Sequence, residues 1–210
     1  MPSRRTLLFL APLVLAVTVA MPARQPVLAA TAASPEAFID NLAAAALKTI
    51  ANKTSDADRE AAFKVLLDAN FDVPRISRFV LGRYWNSAND ADRKQFLSLF
   101  ETYVVRAYSN RFSDYTGETV KVTGSHSQGD LVIVSSQILQ TGGAPPIKVD
   151  WIVHKDGNDF RISDVSVDGV SMVLTEKQQF AAVMERDGKG VSGLNEVLAA
   201  KLSGKETALK

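Results

Sequence analysis

Cysteine is absent from the 210 residues. That removes disulfides, thiolate nucleophiles, cysteine-ligated metal and a cysteine-borne lipid anchor. Histidine is scarce, with two copies, His126 and His154. His126 sits in a Gly-Ser-His-Ser-Gln stretch, and His154 falls near the end of an apolar run, on the side opposite Trp151. Ser125 or Ser127 beside His126 is only a fragment of a serine triad, and no G-x-S-x-G elbow exists to present a nucleophile. Solvated surface positions account for both imidazoles more simply. Gly142-Gly143 lacks the following helix and lysine of a phosphate loop. Asp56, Asp58 and Glu60 alternate, but no calcium-loop glycine follows them, and a helix start explains them. Nothing selects a catalytic pair from the 23 acidic side chains. The expectation is therefore no catalytic residue, no cofactor and no metal.

Basic blocks are missing too, which leaves nucleic-acid binding without support. The N-terminus reads as an export signal: Arg4 and Arg5, an apolar run from Leu7 to Val19, then small residues. Cleavage fits after Ala29 or Ala32. The apolar run is shorter than the roughly 20 residues a membrane span needs, so an uncleaved anchor is the weaker reading. Ser3-Arg4-Arg5-Thr6-Leu7-Leu8 also resembles a twin-arginine start, leaving the export route open between that and the general one. Loss of Arg4, Arg5 and Arg24 takes the 24 basic side chains to 21 against 23 acidic ones, a net −2. Steady attraction to anionic lipid surfaces is disfavoured at that charge. About 180 mature residues suffice for one core and are too few for two. Residues 1–32 form the leader in this reading, 33–204 one domain, and 205–210 a disordered tail.

Four helices come first. Ser34-Pro35-Glu36 opens one with Phe38, Ile39, Leu42, Ala46, Leu47 and Ile50 on its apolar side. Ser55 with Asp58 opens a second, which buries Phe63, Leu66 and Leu67. Asp72 caps a third that holds Pro74 in its first turn and closes at Gly82. A polar break follows Tyr84 and Trp85. Asn89 and Asp92 then start a long helix whose stripe runs Phe96, Phe100, Tyr103, Val104, Ala107, Arg111, with no charge before Arg111. Something large and apolar must lie opposite that stripe. Tyr84 and Trp85 suit either the rim of a mouth or a packing pair at a helix end.

After Tyr115-Thr116-Gly117 the period becomes two. Glu118 to Thr123, Asp130 to Gln140, Ile147 to Val153 and Phe160 to Asp168 read as strands, with Asp156-Gly157-Asn158-Asp159 as a hairpin turn. Phe160 and Ile162 share one parity, while Val165 and Val167 take the other. A bulge near Ser163 or Asp164 reconciles them. Gly124 to Asp130 and Gly142 to Pro146 read as loops. Thr175 with Gln178 caps a helix bearing Phe180, Val183 and Met184, and Ser192 starts a last short one. Helices followed by a run of strands give an α+β domain. The expectation is a curved four-stranded antiparallel meander packed against several helices and enclosing a space.

Val80-Leu81-Gly82 with Trp85, followed by a capped helix carrying Arg93, Phe96 and Phe100, resembles the MlaC family, also called the toluene-tolerance family. The similarity continues through Ile147-Lys148-Val149-Asp150-Trp151 and through Ile162-Ser163-Asp164-Val165-Ser166-Val167-Asp168-Gly169-Val170-Ser171. It spans roughly Ser34 to Lys201. MlaC-type chains usually follow the Gly-x-Ser step with a Tyr-Arg pair and a Phe; Val173 to Ala181 keeps Phe180 and replaces the pair. That tail, with Gly190-Val191-Ser192-Gly193-Leu194, is similar to the hopanoid-associated HpnM branch.

The resemblance implies an NTF2-like fold with a deep apolar cavity, and a periplasmic carrier without enzyme activity. The cargo it implies is a hopanoid or phospholipid moved between inner and outer membranes. The implied partners are an inner-membrane ABC transporter with an MCE-type subunit, and an outer-membrane complex. Expected lipid-lining residues are Leu81, Phe100, Tyr103, Val104, Val134, Ile138, Val149, Trp151, Val165 and Val167. Two other readings stand beside this one. One is a small NTF2-like cavity enzyme using His126 or His154; the other is an interaction module whose interior is filled by its own side chains.

Overall fold

Capping chemistry sets most helix starts. The computed structural model describes residues 32–49, 53, 55–186 and 188–204; the expected leader up to residue 31, Ile50 and the 205–210 tail lie outside the described residues. Helix Pro35–Thr49 (α1) begins where Ser34 Oγ accepts the Ala37 N–H at 3.2 Å. Helix Asp56–Asn70 (α2) begins at Ser55, whose Oγ accepts the Asp58 N–H at 3.1 Å. Helix Val73–Leu81 (α3) begins at Asp72, which accepts the Arg75 N–H at 3.0 Å. Gly82 ends it at φ 53 and ψ −124, a conformation that penalises any side chain.

The expected polar break is instead a single turn, Tyr84–Ser87 (α4). Arg93 holds that turn from below, its Nε donating to the Trp85 carbonyl at 2.8 Å. Asn89 and Asp92 exchange two bonds of 2.8 Å at the start of Asp90–Ser109 (α5). Arg111 lies just past α5, in the 3₁₀ turn Asn110–Asp114, rather than within the helix.

The strands are Thr119–Gln128 (β1), Leu131–Leu139 (β2), Ile147–Asp156 (β3), Asp159–Val167 (β4) and Val170–Ser171 (β5), antiparallel in the order β1-β2-β3-β4-β5. The sheet thus has five strands, not four. Asp168 (φ 48) and Gly169 (φ 84) form a tight turn with two positive φ angles, which folds Val170 back onto Val167. The Gly124–Asp130 loop is also corrected. β1 continues through Gln128 past a bulge at Val122/Gly124, pairing Ser125 with Val134 and His126 with Ile133. Backbone pairing to an apolar neighbour carries these polar residues along an edge strand. On β4, Ile152 pairs with Asp164 and Val153 with Ile162, so Ser163 is the extra residue that switches parity.

Helix Met172–Arg186 (α6) starts three residues before the Thr175 cap that local sequence suggests. Its start is set from a distance: Asp164 on β4 accepts the Val173 N–H at 3.1 Å, and Ser171 Oγ accepts the Leu174 N–H at 2.9 Å. Helix Val191–Leu202 (α7) follows Gly190. Among the described residues, no helix is long and apolar enough to cross a membrane.

Two cores result. Phe96, Phe100, Tyr103 and Phe180 cluster between α5, α6 and α7, with Phe180 edge-on to Phe96 and Phe100 at 6.0 and 5.9 Å. Phe38, Ile39 and Leu42 of α1 cover Val134, Val153 and Ile162 at one end of a sheet face. The free edge of β4 is closed by the start of α3, where the Asp72 N–H donates to the Ile162 carbonyl at 2.9 Å.

Candidate functional site

The face that α1 covers continues beyond it. Cross-strand pairing puts Ile138 opposite Ile147, Val149 opposite Val167 and Trp151 opposite Val165, all on that face. Helices α2, α3, α5 and α6 stand off from this half of the sheet and leave a cleft of about 410 Å³. Phe63 and Leu67 come from α2, Phe71 from the link that follows it, and Val73, Ile76 and Val80 from α3. Phe100, Val104 and Tyr108 come from α5, with Arg111 and Phe112 just beyond it, and Met172, Val173 and Glu176 from α6. The six sheet residues named above and Asp164 complete the wall.

Seven of the ten expected lining residues meet here: Phe100, Val104, Ile138, Val149, Trp151, Val165 and Val167. Leu81 does not; at 1% exposure it packs in the α3/α6/α7 core behind the wall. Val134 is beneath α1. Tyr103 turns toward Phe180 and gives its hydroxyl to Glu176, at 3.3 and 3.4 Å from the two carboxylate oxygens. The stripe on α5 is in fact two adjacent ones: Phe96, Phe100 and Tyr103 point to the core, while Phe100, Val104 and Tyr108 point to the cleft. Phe63, Ile76, Tyr108 and Val173 were missed as lining. Spacing of three and four along Phe63, Leu67, Phe71 and along Val73, Ile76, Val80 was the available signal.

The polar atoms of the wall are largely paired. The Trp151 indole N–H donates to Ser136 Oγ at 2.9 Å, and that hydroxyl donates to the Val149 carbonyl at 3.2 Å. Asp164 accepts from the Val165 and Val173 amides at 2.7 and 3.1 Å and from the Ser171 hydroxyl, so it anchors α6 to β4. Burial raises the Glu176 carboxyl above its ordinary pKa; the Tyr103 hydrogen bond and the charge of Lys201 oppose the shift without cancelling it. Burial, and then the charge of Glu176, raise the Tyr103 and Tyr108 hydroxyls. Arg111 sits over the Tyr108 ring, 5.5 Å from its centroid.

Neither histidine is on this wall. His126 is exposed on β1. His154 differs from the solvated position expected for it: its Nε2 lies 3.1 Å from Asp72 Oδ2, with the side chain 10% exposed. The other oxygen of Asp72 caps α3, which makes the pair a clamp between that helix start and the sheet. A second concavity, of about 520 Å³, lies beside α4 and the Gly188–Gly190 turn. It is more polar than the cleft, and its groups are already engaged: Asn89 with Asp92, Arg83 with Glu185, Lys189 with Glu196. The apolar cleft is the feature that calls for a guest. No group of three metal-ligating side chains occurs among the described residues.

Comparison with known proteins converges on the same architecture. A phospholipid-binding protein from Ralstonia solanacearum, solved in complex with a phospholipid, superposes with a TM-score of 0.69 at 24% identity, over 84% of this chain and 99% of that one. At that identity the likeness establishes the fold. The family model described as MlaC protein matches residues 39–200 of the 210. By that match across both the helical and the sheet halves, this chain belongs to the MlaC family.

Proposed function

We propose that this protein is a periplasmic lipid carrier that shelters the hydrocarbon of a hopanoid or phospholipid in the α2/α3/α5/α6 cleft. The observation that carries this reading is the cleft itself, walled mostly by aliphatic and aromatic side chains, with Arg111 the one basic side chain among the described residues that line it. Each methylene removed from water contributes roughly 0.8 kcal/mol, so a lipid crossing an aqueous compartment needs such a shelter and no catalytic group. At about 410 Å³ the cleft is in the lower half of the roughly 300–1,000 Å³ typical of ligand pockets. A two-chain lipid therefore requires the helical wall to move outward. The carrier would exchange cargo with an inner-membrane ABC transporter bearing an MCE-type subunit and with an outer-membrane complex. Similarity of the tail to the HpnM branch supports a hopanoid, and the lipid seen in the Ralstonia solanacearum neighbour supports a phospholipid.

The alternative is a cavity enzyme using His126 or His154. It gains a carboxylate partner for His154 from Asp72, but no place for either imidazole on the cleft wall. Native mass spectrometry of the exported protein, with lipid extraction, tests the primary reading. Co-purifying lipid at near one per chain is expected. Lipid-free protein in every preparation from membrane-containing cells would overturn it.

A further inference from the structure

Helix α3 has two chemically different sides. Val73, Ile76 and Val80 line the cleft, whereas Arg75, Arg78 and Phe79 are exposed on the outside. Phe79 is 49% exposed, and it is the one aromatic ring among the exposed large apolar side chains of the described residues. Lys177 of α6 lies against it: a Cβ at Gly82 would stand 3.2 Å from the Lys177 Cε, and the Nζ ends 4.3 Å from the centre of the Phe79 ring. Leu174, one turn earlier on α6, and Val170 just before that helix are exposed as well. No acid answers the three cations. Helix α3 contains none, and the first two turns of α6 hold only Glu176, which bonds Tyr103. Asp72 at the head of α3 is held by His154. Arg83 next to the patch pairs with Glu185, but among the described residues Arg75, Arg78 and Lys177 form no ion pair. Neither concavity described above has Arg75, Arg78, Phe79 or Lys177 in its wall, so this face offers no socket.

We propose that the outer face of α3, with the start of α6, docks the protein on membrane surfaces that carry anionic lipid. A ring and three unpaired cations without a socket match a broad, fluid, negatively charged layer better than a shaped peptide. Arg75, Arg78 and Lys177 meet the charge of that layer, and Phe79 and Leu174 enter its head-group zone. The inference goes beyond the carrier reading and holds whether or not the cleft is filled, since docking uses the outside of α3 and the cleft its inside. The slight negative charge expected of the exported chain confines the attraction to this patch. Docking is therefore oriented, brief and easily screened by salt.

Co-sedimentation of the exported protein with vesicles tests this. Vesicles of phosphatidylcholine alone are compared with vesicles of phosphatidylcholine and phosphatidylglycerol in equal parts. Wild type should partition onto the anionic vesicles and not onto the neutral ones. Raising salt from about 0.05 M to about 0.5 M should release it, because the screening length falls from about 14 Å to about 4 Å. Each basic side chain near an anionic surface contributes about fivefold, so R75Q/R78Q should lose on the order of 25-fold in partition. F79Q should lose about fivefold, as a half-exposed ring no longer enters the layer. K121Q/K155Q removes the same charge from β1 and β3 and should lose less than about twofold. All the replaced side chains are exposed, so each variant should keep the wild-type thermal midpoint. Equal losses for the α3 pair and the control pair would overturn the proposal, as would full binding by R75Q/R78Q and F79Q. Equal partition onto both kinds of vesicle would overturn it too. So would wild type that ignores the anionic vesicles, an outcome that assigns the face to an acidic protein. Lipid retained in the cleft is read separately, by the mass of the native protein, so failure here leaves the carrier reading standing.

Discussion

Replacing Val104 by Trp should shorten the cleft without unfolding the protein. Val104 is seven residues before the exposed Arg111, counted along α5 and the turn after it, so it lies about 10 Å from Arg111 along that line, and Phe100 about 16 Å. An all-trans hydrocarbon with 1.5 Å bonds at tetrahedral angles advances about 1.25 Å per carbon. The native cleft therefore accepts about 13 carbons in line, and the variant about 8. Each buried methylene contributes about 0.8 kcal/mol, so five lost positions amount to about 4 kcal/mol, on the order of 10³-fold in affinity. Affinities of single-chain lysophospholipids from 8 to 18 carbons, measured by displacement of a fluorescent lipid below their micelle concentrations, read this directly. For wild type, affinity should climb to about 13 carbons and then level; for V104W the break should move to about 8. Short chains should bind both proteins alike. A break that stays where it was, or a uniform loss at every length, would refute the geometry. Thermal stability should change by less than about 1 kcal/mol, because Val104 is only partly buried and borders the cleft, which leaves room for the larger ring.

Three further outcomes follow from the same structure. Glu176 has a folded pKa raised by burial, so its protonation favours the folded state: stability should rise as pH falls from 7 through that raised pKa, and level off below the ordinary carboxylate value. Chemical denaturation across pH checks this, and E176Q should flatten the profile in that window; an unchanged profile would contradict the assignment. D164A removes the acceptor of the Val173 amide and the Ser171 hydroxyl, and should cost about 1–3 kcal/mol and weaken lipid binding, since Met172, Val173 and Glu176 hang from that anchor. A stable D164A with full lipid affinity would show that α6 is held elsewhere. F180A empties the centre of the aromatic core and should cost about 3–5 kcal/mol by denaturant titration.

Most of the fold could be read from local signals because those signals are chemically local. Ser55, Asp72 and Asn89 each accept the amide three residues ahead, and the parity change between Ile162 and Val165 marks the Ser163 bulge. What escaped depends on distant partners. The start of α6 is governed by Asp164, nine residues before Val173, and the turn of α4 by Arg93 from the next helix. β1 extends through polar residues because β2 offers it a backbone ladder, which no property of Gly124 to Gln128 announces. The cleft was visible as a set of apolar residues, not as a surface. Phe100 belongs to two stripes at once, and whether Leu81 or Val80 faces the void depends on a rotation of α3 that spacing leaves free.

On the carrier reading proposed above, the relay from Trp151 to Ser136 to Val149 bears on how cargo leaves. Where the dipoles of the sheet wall are satisfied by one another, it grips the hydrocarbon of a passenger through dispersion and water exclusion, with no directional bond to the chain itself to snap on departure. Such a surface is slippery: it tells long from short, and is largely indifferent to branching or unsaturation. Handover then becomes a matter of how often the helical side parts from the strands, a rate that a docking protein could accelerate without touching the passenger.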